Sequence, residues 1–312
     1  MTGTPPVRRR LLGAALREYR ESLGFKLDEA ARILDCDRSK VSRIETGERG
    51  IRAKELRELL TEYGVPAAEQ EALLAVAHRG RDSGWWLDYR DVLSAGAQDY
   101  VIMESAATQI LGYEANQVPE LLQTPDYSRA VAEADARWIT AQQRAHALEV
   151  KLNRQRIVLS ASPPLLDVVV TEGALRQVVG QPRVMREQLG LLADVAATGT
   201  VPGTVPGGGL APGGLLTAGP ATTPRPAVSL RLLPFAAGAA AAAGSGSMTV
   251  LRFAEAPGIG VVHLAALSGG ISLEGRDEVG RYLRTFTQLR AASLTPARSA
   301  RVIQKIAGGY NR

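Results

Sequence analysis

The first eighty residues contain short apolar stripes at helical spacing, punctuated by glycine, and this pattern leaves few folds open. Leu12, Leu16, Tyr19 and Leu23 fall at i, i+4, i+7 and i+11 and stop at Gly24. Leu27, Ala30, Ala31 and Leu34 repeat at i, i+3, i+4 and i+7. The next segment, "DRSKVSRIETGER" from Asp37 to Arg49, has Val41 and Ile44 as its only aliphatic residues and closes at Gly47. Leu56, Leu59, Leu60 and Tyr63 form another stripe, ended by Gly64, and Pro66 opens a fifth helix through Leu73, Leu74 and Ala77. This periodicity of three to four residues predicts amphipathic helices, and the glycines mark their ends. Four or five short helices in under eighty residues make a compact all-α domain, with small alanines on the second helix letting a neighbour come close.

The remainder reads differently. Residues 81–164 are mostly helical in pattern, with "YVIMESAATQILGYEANQ" and "WITAQQRAHALEVKLNRQRIVL" long enough for helices and breaks at Pro119 and Pro125. Beyond Pro163 and Pro164, "LLDVVV", "VSLRLL", "MTVLRF" and "GIGVVHLAAL" are short β-branched runs that suit strands. "QPRVMREQLGLLADVA" is helical between them, and helices at about Arg276–Leu289 and Pro296–Ile306 end the chain. From Val195 to Pro224 there is no charged residue, and Gly, Pro, Ala and Thr dominate. With a second tract at Ala236–Ser247, this predicts flexible segments at about 195–227 and 236–247, since neither buries enough apolar surface to offset the entropy of ordering. The expected fold is α+β and multidomain: an all-α domain at 1–80, then a mixed α/β domain at 81–312.

Charge is concentrated at the front. The chain's formal charge is +5, and residues 1–54 alone, with ten Arg and three Lys against eight acids, carry +5. A basic head on a near-neutral body is the footprint of a nucleic-acid-binding module. Asp37 stands where an N-cap belongs, its carboxylate expected to accept from the first backbone N–H groups of a helix starting at Arg38. At 100° per residue, Val41, Ile44 and Glu45 fall on one side. Ser39, Ser42, Arg43 and Thr46 fall on the other, with Arg38 and Lys40 on the rims. A helix of this length fits the DNA major groove, where Arg and Lys donate to guanine O6 and N7 and serine hydroxyls serve bases or phosphates. Arg38, Ser39, Lys40, Ser42 and Arg43 are therefore expected to face base edges, and Arg49 and Arg52 phosphates. Arg8, Arg9 and Arg10 are placed to join the phosphate contacts or to remain a solvated terminus. Cys36 falls at the turn position expected to point into the core.

The segment "LREYRESLGFKLDEAARILDCDRSKVSRIETGERGI" closely resembles the XRE-type, lambda-repressor-like helix-turn-helix, through the signature "S-K-V-S-R-I-E-x-G". It departs at Lys26, where that family has a Thr or Ser cap, and at Arg38, where Gln is common. The second departure leaves base preference unreadable by analogy. Further on, "GWWLDYRDVL", "VGQPRVMREQLGLL", "LRLLPFAAGA" and above all "VPELLQTPDYSRA" resemble the C-terminal domain of unknown function of WhiJ-like actinomycete regulators, with the Gly/Pro tract as an insertion. The resemblance implies a transcriptional regulator, often beside a gene for a small partner protein in an antitoxin-like arrangement.

Other chemistry has little support. There is no G-x-x-x-x-G-K-[ST], no G-x-S-x-G, and no G-x-G-x-x-G following a strand, so an enzyme is not expected. One cysteine and three histidines without metal-type spacing predict no metal, and no cofactor is expected. Trp85 and Trp86 read as one ring in a core and one at a domain junction. No apolar run approaches a membrane span, and the apolar stretch after Arg10 is too short for a signal peptide, so a cytoplasmic location is expected. A single short recognition helix touches few base pairs, which predicts a homodimer on a two-fold operator in double-stranded DNA. Two alternatives remain open: an antitoxin-like interaction module gripping a small protein from a neighbouring gene, and a regulator gated by a small molecule.

Overall fold

The glycine punctuation marks real helix ends. The computed structural model describes residues 7–78, 84–134, 140–160, 163–202, 227–238, 246–253, 260–266 and 270–310. Helices α1 (Val7–Ser22), α2 (Leu27–Ile33), α3 (Arg38–Glu45), α4 (Ala53–Glu62) and α5 (Ala67–His78) match the stripes. Gly24, Gly47 and Gly64 take φ of +71°, +75° and +66°, left-handed conformations that glycine adopts without a Cβ penalty. The turn between α2 and α3 uses Asp35 at φ +45° instead.

The five helices share one core, in which Leu16, Ala30, Val41, Ile44, Leu56, Leu59, Leu60, Leu73 and Leu74 are buried. Each large apolar side chain buried there contributes roughly 1.5–3 kcal/mol. The small residues on α2, Ala30 and Ala31, are both buried, as close packing requires. Tyr63 is also buried, with its ring edge-on to Phe25 at 6.3 Å.

Downstream, a single helix over "YVIMESAATQILGYEANQ" is not what forms. Helix α6 (Ala95–Ala106) ends early, and Gln109–Glu114 becomes strand β1. The apolar run Ile110–Leu111 carries too little local signal to choose; pairing with a strand more than fifty residues away decides it. Strands β2 (Leu165–Thr171), β3 (Val228–Leu233), β4 (Met248–Arg252) and β5 (Gly260–Leu264) fall on the predicted runs, and β6 (Ile271–Glu274) is an addition. Trp85 and Trp86 lie in a 3-10 turn (Trp85–Tyr89), edge-on at 6.0 Å; neither ring is fully buried, so the expected core tryptophan is not there.

The described residues pack as two units. The first holds Met1–Thr108 with Val250–Tyr282; the second holds Gln109–Thr249 with Leu283–Arg312. In the second, β1 pairs parallel with β2 in the register Gly112↔Val168, and β2 parallel with β3 in the register Val168↔Leu230. Parallel neighbours need long crossovers. Helices α7 (Pro125–Ala134) and α8 (Ala141–Gln155) lie on the first, and α9 (Glu172–Arg176) and α10 (Pro182–Thr198) on the second. Helix α10 packs on β3 and on the closing helix α12 (Pro296–Gly308), whose Ser299 hydroxyl accepts from the Leu232 N–H at 2.9 Å. In the first unit, β4, β5 and β6 are adjacent in that order, β5 and β6 antiparallel, and α11 (Arg276–Ala292) begins there.

The Gly/Pro-rich tract begins later than its composition suggests. Helix α10 continues through Thr198, and Gly199 ends it at φ +72°. The rest of that tract over 203–226, and 239–245 of the second, lie outside the described residues. Among the described residues no helix is long and apolar enough to cross a membrane.

Candidate nucleic-acid interface

Helix α3 buries little and is nevertheless held firmly. Val41 and Ile44 are 1% and 2% exposed. Two further contacts come from α1. A Cβ on Gly13 would lie 2.5 Å from the backbone oxygens of both Ile44 and Glu45, so the two helices touch backbone to backbone at that glycine. The guanidinium of Arg20 then forks onto Glu45, Nε to Oε1 at 2.7 Å and Nη2 to Oε2 at 2.8 Å, and its Nη1 donates to the Phe25 carbonyl at 2.7 Å. Arg20 is 7% exposed. Removing one partner of such a buried pair costs about 3–5 kcal/mol, because the other charge is stranded. Sequence reasoning missed this pair as an orienting device, although Glu45 on the apolar side of the wheel was its signal.

The outward face carries the predicted side chains in two groups. Arg38, Ser39 and Arg43 are exposed; Lys40 and Ser42 are half-buried. Arg49 and Arg52, beyond Gly47, are exposed, and the Arg49 N–H donates to the Arg43 carbonyl at 2.8 Å, folding the following loop back on α3. Among the described residues Arg38, Arg43, Arg49 and Arg52 form no ion pair. Lys40 is different: its Nζ lies 2.8 Å from Glu55 Oε1 in the first turn of α4. Asp37 has the extended backbone of an N-cap, but its side chain accepts no capping hydrogen bond; the Lys40 N–H donates to its carbonyl instead, at 2.9 Å. With no acidic residue in its first turn, α3 therefore presents positive charge and uncapped N–H groups at one end. The missing cap at Lys26 is half replaced, because the Glu29 carboxylate accepts from the Lys26 N–H at 2.6 Å.

Cys36 is half-buried, not a full core residue, and burial pushes its thiol above the ordinary range, with Lys40 pulling weakly the other way. The N-terminal arginines are not all free to meet an anion: Arg10 Nη2 lies 2.5 Å from Glu274 Oε1 at the end of β6, while Arg9 is exposed. Glu18 of α1 pairs with Arg276 at the start of α11. Among the described residues no cluster of three His, Cys, Asp or Glu side chains is arranged to hold a metal.

A helix-turn-helix domain model matches residues 11–73, which run from α1 into α5 and contain this whole surface. A second model, a domain of unknown function (DUF5753), matches residues 97–202 and 221–305, together more than half of the chain. The chain belongs to the DUF5753 family. The unmatched stretch between the two parts of the DUF5753 domain falls within the Gly/Pro-rich tract. No curated protein and no solved structure matches the chain. A DNA-binding, XRE-type helix-turn-helix head followed by a DUF5753 domain is thus its architecture.

Proposed function

We propose that the chain binds a specific operator as a homodimer, in the cytoplasm, by laying α3 of each protomer in the major groove. Arg38, Ser39, Lys40, Ser42 and Arg43 face base edges, and Arg49 and Arg52 hold phosphates. The observation that carries this reading is the contrast across α3. One side is locked by Val41, Ile44 and the Arg20–Glu45 fork, while the other offers exposed arginines without an ion pair among the described residues, Arg38 at the uncapped end and Arg43 in the last turn. A solvated face needs no such rigid mounting; base readout does, because donors must meet their acceptors in fixed directions. The DUF5753 part, with residues 81–312 as its outer bounds, acts as the regulatory domain.

The test is binding to labelled duplex from the protein's own upstream region across a salt series, beside an Arg38→Ala/Lys40→Ala variant. Tight binding that falls steeply with salt, is lost in the variant and is absent on scrambled duplex is the expected result. Complete absence of salt-sensitive binding to any duplex refutes the reading.

A further inference from the structure

Lys40 stands apart from the other cations of α3, and its partner defines a role for a residue outside the recognition helix. We propose that Glu55 is a positioning residue for DNA recognition: its carboxylate fixes the Lys40 ammonium in one direction, making it a reader of base edges and not a mobile phosphate contact. This rests on the reading that α3 lies in the major groove.

The geometry is specific. The Lys40 and Glu55 side chains are each 21% exposed, and their 2.8 Å contact spans α3 and α4. The other ion pairs of α4 are looser and wetter: Lys54–Glu58 at 3.7 Å and Arg57–Glu71 at 3.6 Å, each with one side chain at least 74% exposed. Exposed pairs of that kind contribute little and impose no direction. Glu55 is anchored a second time, since its Oε2 accepts from the Arg52 N–H at 3.2 Å. Burial works against its charge, yet Lys40 and the Arg52 N–H together hold the carboxyl below its ordinary range, so it stays ionised.

Two consequences follow from the chemistry of an ammonium. It has three donors on a flexible stem, and with one spent on Glu55 the other two point in fixed directions, suited to the paired acceptors O6 and N7 of guanine. Its charge is also cancelled locally. Lys40 then adds almost nothing to the counterion release that drives binding to any sequence, and Glu55 itself repels phosphate. Arg38, Arg43, Arg49 and Arg52, which form no ion pair among the described residues, supply the sequence-independent attraction. Glu55 thus trades general affinity for discrimination.

The experiment compares the full-length wild type with Glu55→Gln, Lys40→Met and the double variant. The probes are a duplex of about 30 base pairs, long enough for two half-sites, enriched by the wild type from a randomised pool, and its scrambled counterpart. Dissociation constants are read between about 50 and about 200 mM salt. Glutamine keeps one acceptor for the Arg52 N–H and turns a donating NH2 toward the Lys40 ammonium, so the charge and the acceptor that hold Lys40 are both lost. Glu55→Gln is expected to bind scrambled duplex more tightly, with a salt slope steeper by about 0.9, one additional phosphate charge neutralised. Its preference for the enriched duplex should fall about tenfold, within the range of one base-pair contact. Lys40→Met should lose a similar preference, and adding Glu55→Gln to it should change the preference less than about twofold, as coupled partners require. An unchanged slope and preference in Glu55→Gln, an equal loss on both duplexes, or an undiminished effect without Lys40 each overturns the proposal. Failure of the wild type to enrich any duplex overturns the groove reading itself, and is told apart because it appears before any variant is compared.

Discussion

Gly13→Ala is the substitution in which local and tertiary physics disagree about sign. In an exposed helix, replacing glycine by alanine is favourable by about 1 kcal/mol, since alanine loses less backbone entropy and has the highest helix propensity. At Gly13 the added Cβ would sit 2.5 Å from the carbonyl oxygens of Ile44 and Glu45, both backbone atoms of α3 that no rotamer change can move. Relief requires α1 and α3 to separate by several tenths of an ångström, which loosens Val41 and Ile44 and stretches the Arg20–Glu45 fork. Overpacking of this kind costs about 1–3 kcal/mol. The net expectation is a destabilisation of up to about 2 kcal/mol centred on α3. Gly190 in α10 provides the control, because a Cβ there meets nothing within 4 Å. Gly190→Ala should stabilise by up to about 1 kcal/mol. Since a chain with two packing units need not unfold in one step, the assay is amide hydrogen exchange read by mass spectrometry on peptides covering 38–46 and 182–198. Faster exchange over 38–46 in Gly13→Ala and slower exchange over 182–198 in Gly190→Ala are expected. Slower exchange over 38–46 in Gly13→Ala would falsify the backbone contact between α1 and α3.

Two further perturbations test other parts of the chain. Asp35 holds φ +45° in the turn before α3, a conformation that costs a residue with a Cβ, Asp less than a β-branched one, so Asp35→Gly should stabilise the head and Asp35→Val destabilise it, each by about 1 kcal/mol, raising and lowering the midpoint of its thermal transition; an unchanged midpoint in both would show that the turn is unstrained. In the second unit, burial pushes the Glu114 carboxyl at the end of β1 up to about 7, against a hydrogen bond from Ser247. Between about pH 4.5 and 7 the folded state keeps a proton that the unfolded chain has released. Its contribution is therefore full below pH 4.5 and lost as the pH rises through 7, about 3 kcal/mol at most. Urea unfolding from pH 4.5 to 8 should show this decline in the wild type and not in Glu114→Gln; parallel curves for the two would rule out a protonated, half-buried Glu114.

The helical head was written locally. Apolar residues three and four apart, closed by Gly24, Gly47 and Gly64, specify helices and their ends from interactions within a few residues, and α1 to α5 follow them. The parallel strands β2 and β3 were legible too, because β-branched runs bounded by turns suit a buried sheet. The outward placement of Arg38, Ser39 and Arg43 follows from helical geometry once Val41 and Ile44 are turned inward.

What the tertiary structure alone decided is everything that depends on a partner far along the chain. Gln109–Glu114 joins a sheet and not a helix because β2 is there to pair with it, and hydrogen bonds across fifty residues leave no local trace. Gly13 reads as a flaw in a helix until α3 arrives against it. Asp37, placed to cap, does not use its side chain, while Lys40, read as a free cation, meets Glu55. Arg10 is drawn to Glu274 by the return of Val250–Tyr282 to the unit that holds the head. Periodicity fixes which way a side chain leaves its own helix, but the direction of a charge at its tip is set by the nearest opposite charge, and that neighbour is known only once the chain has folded.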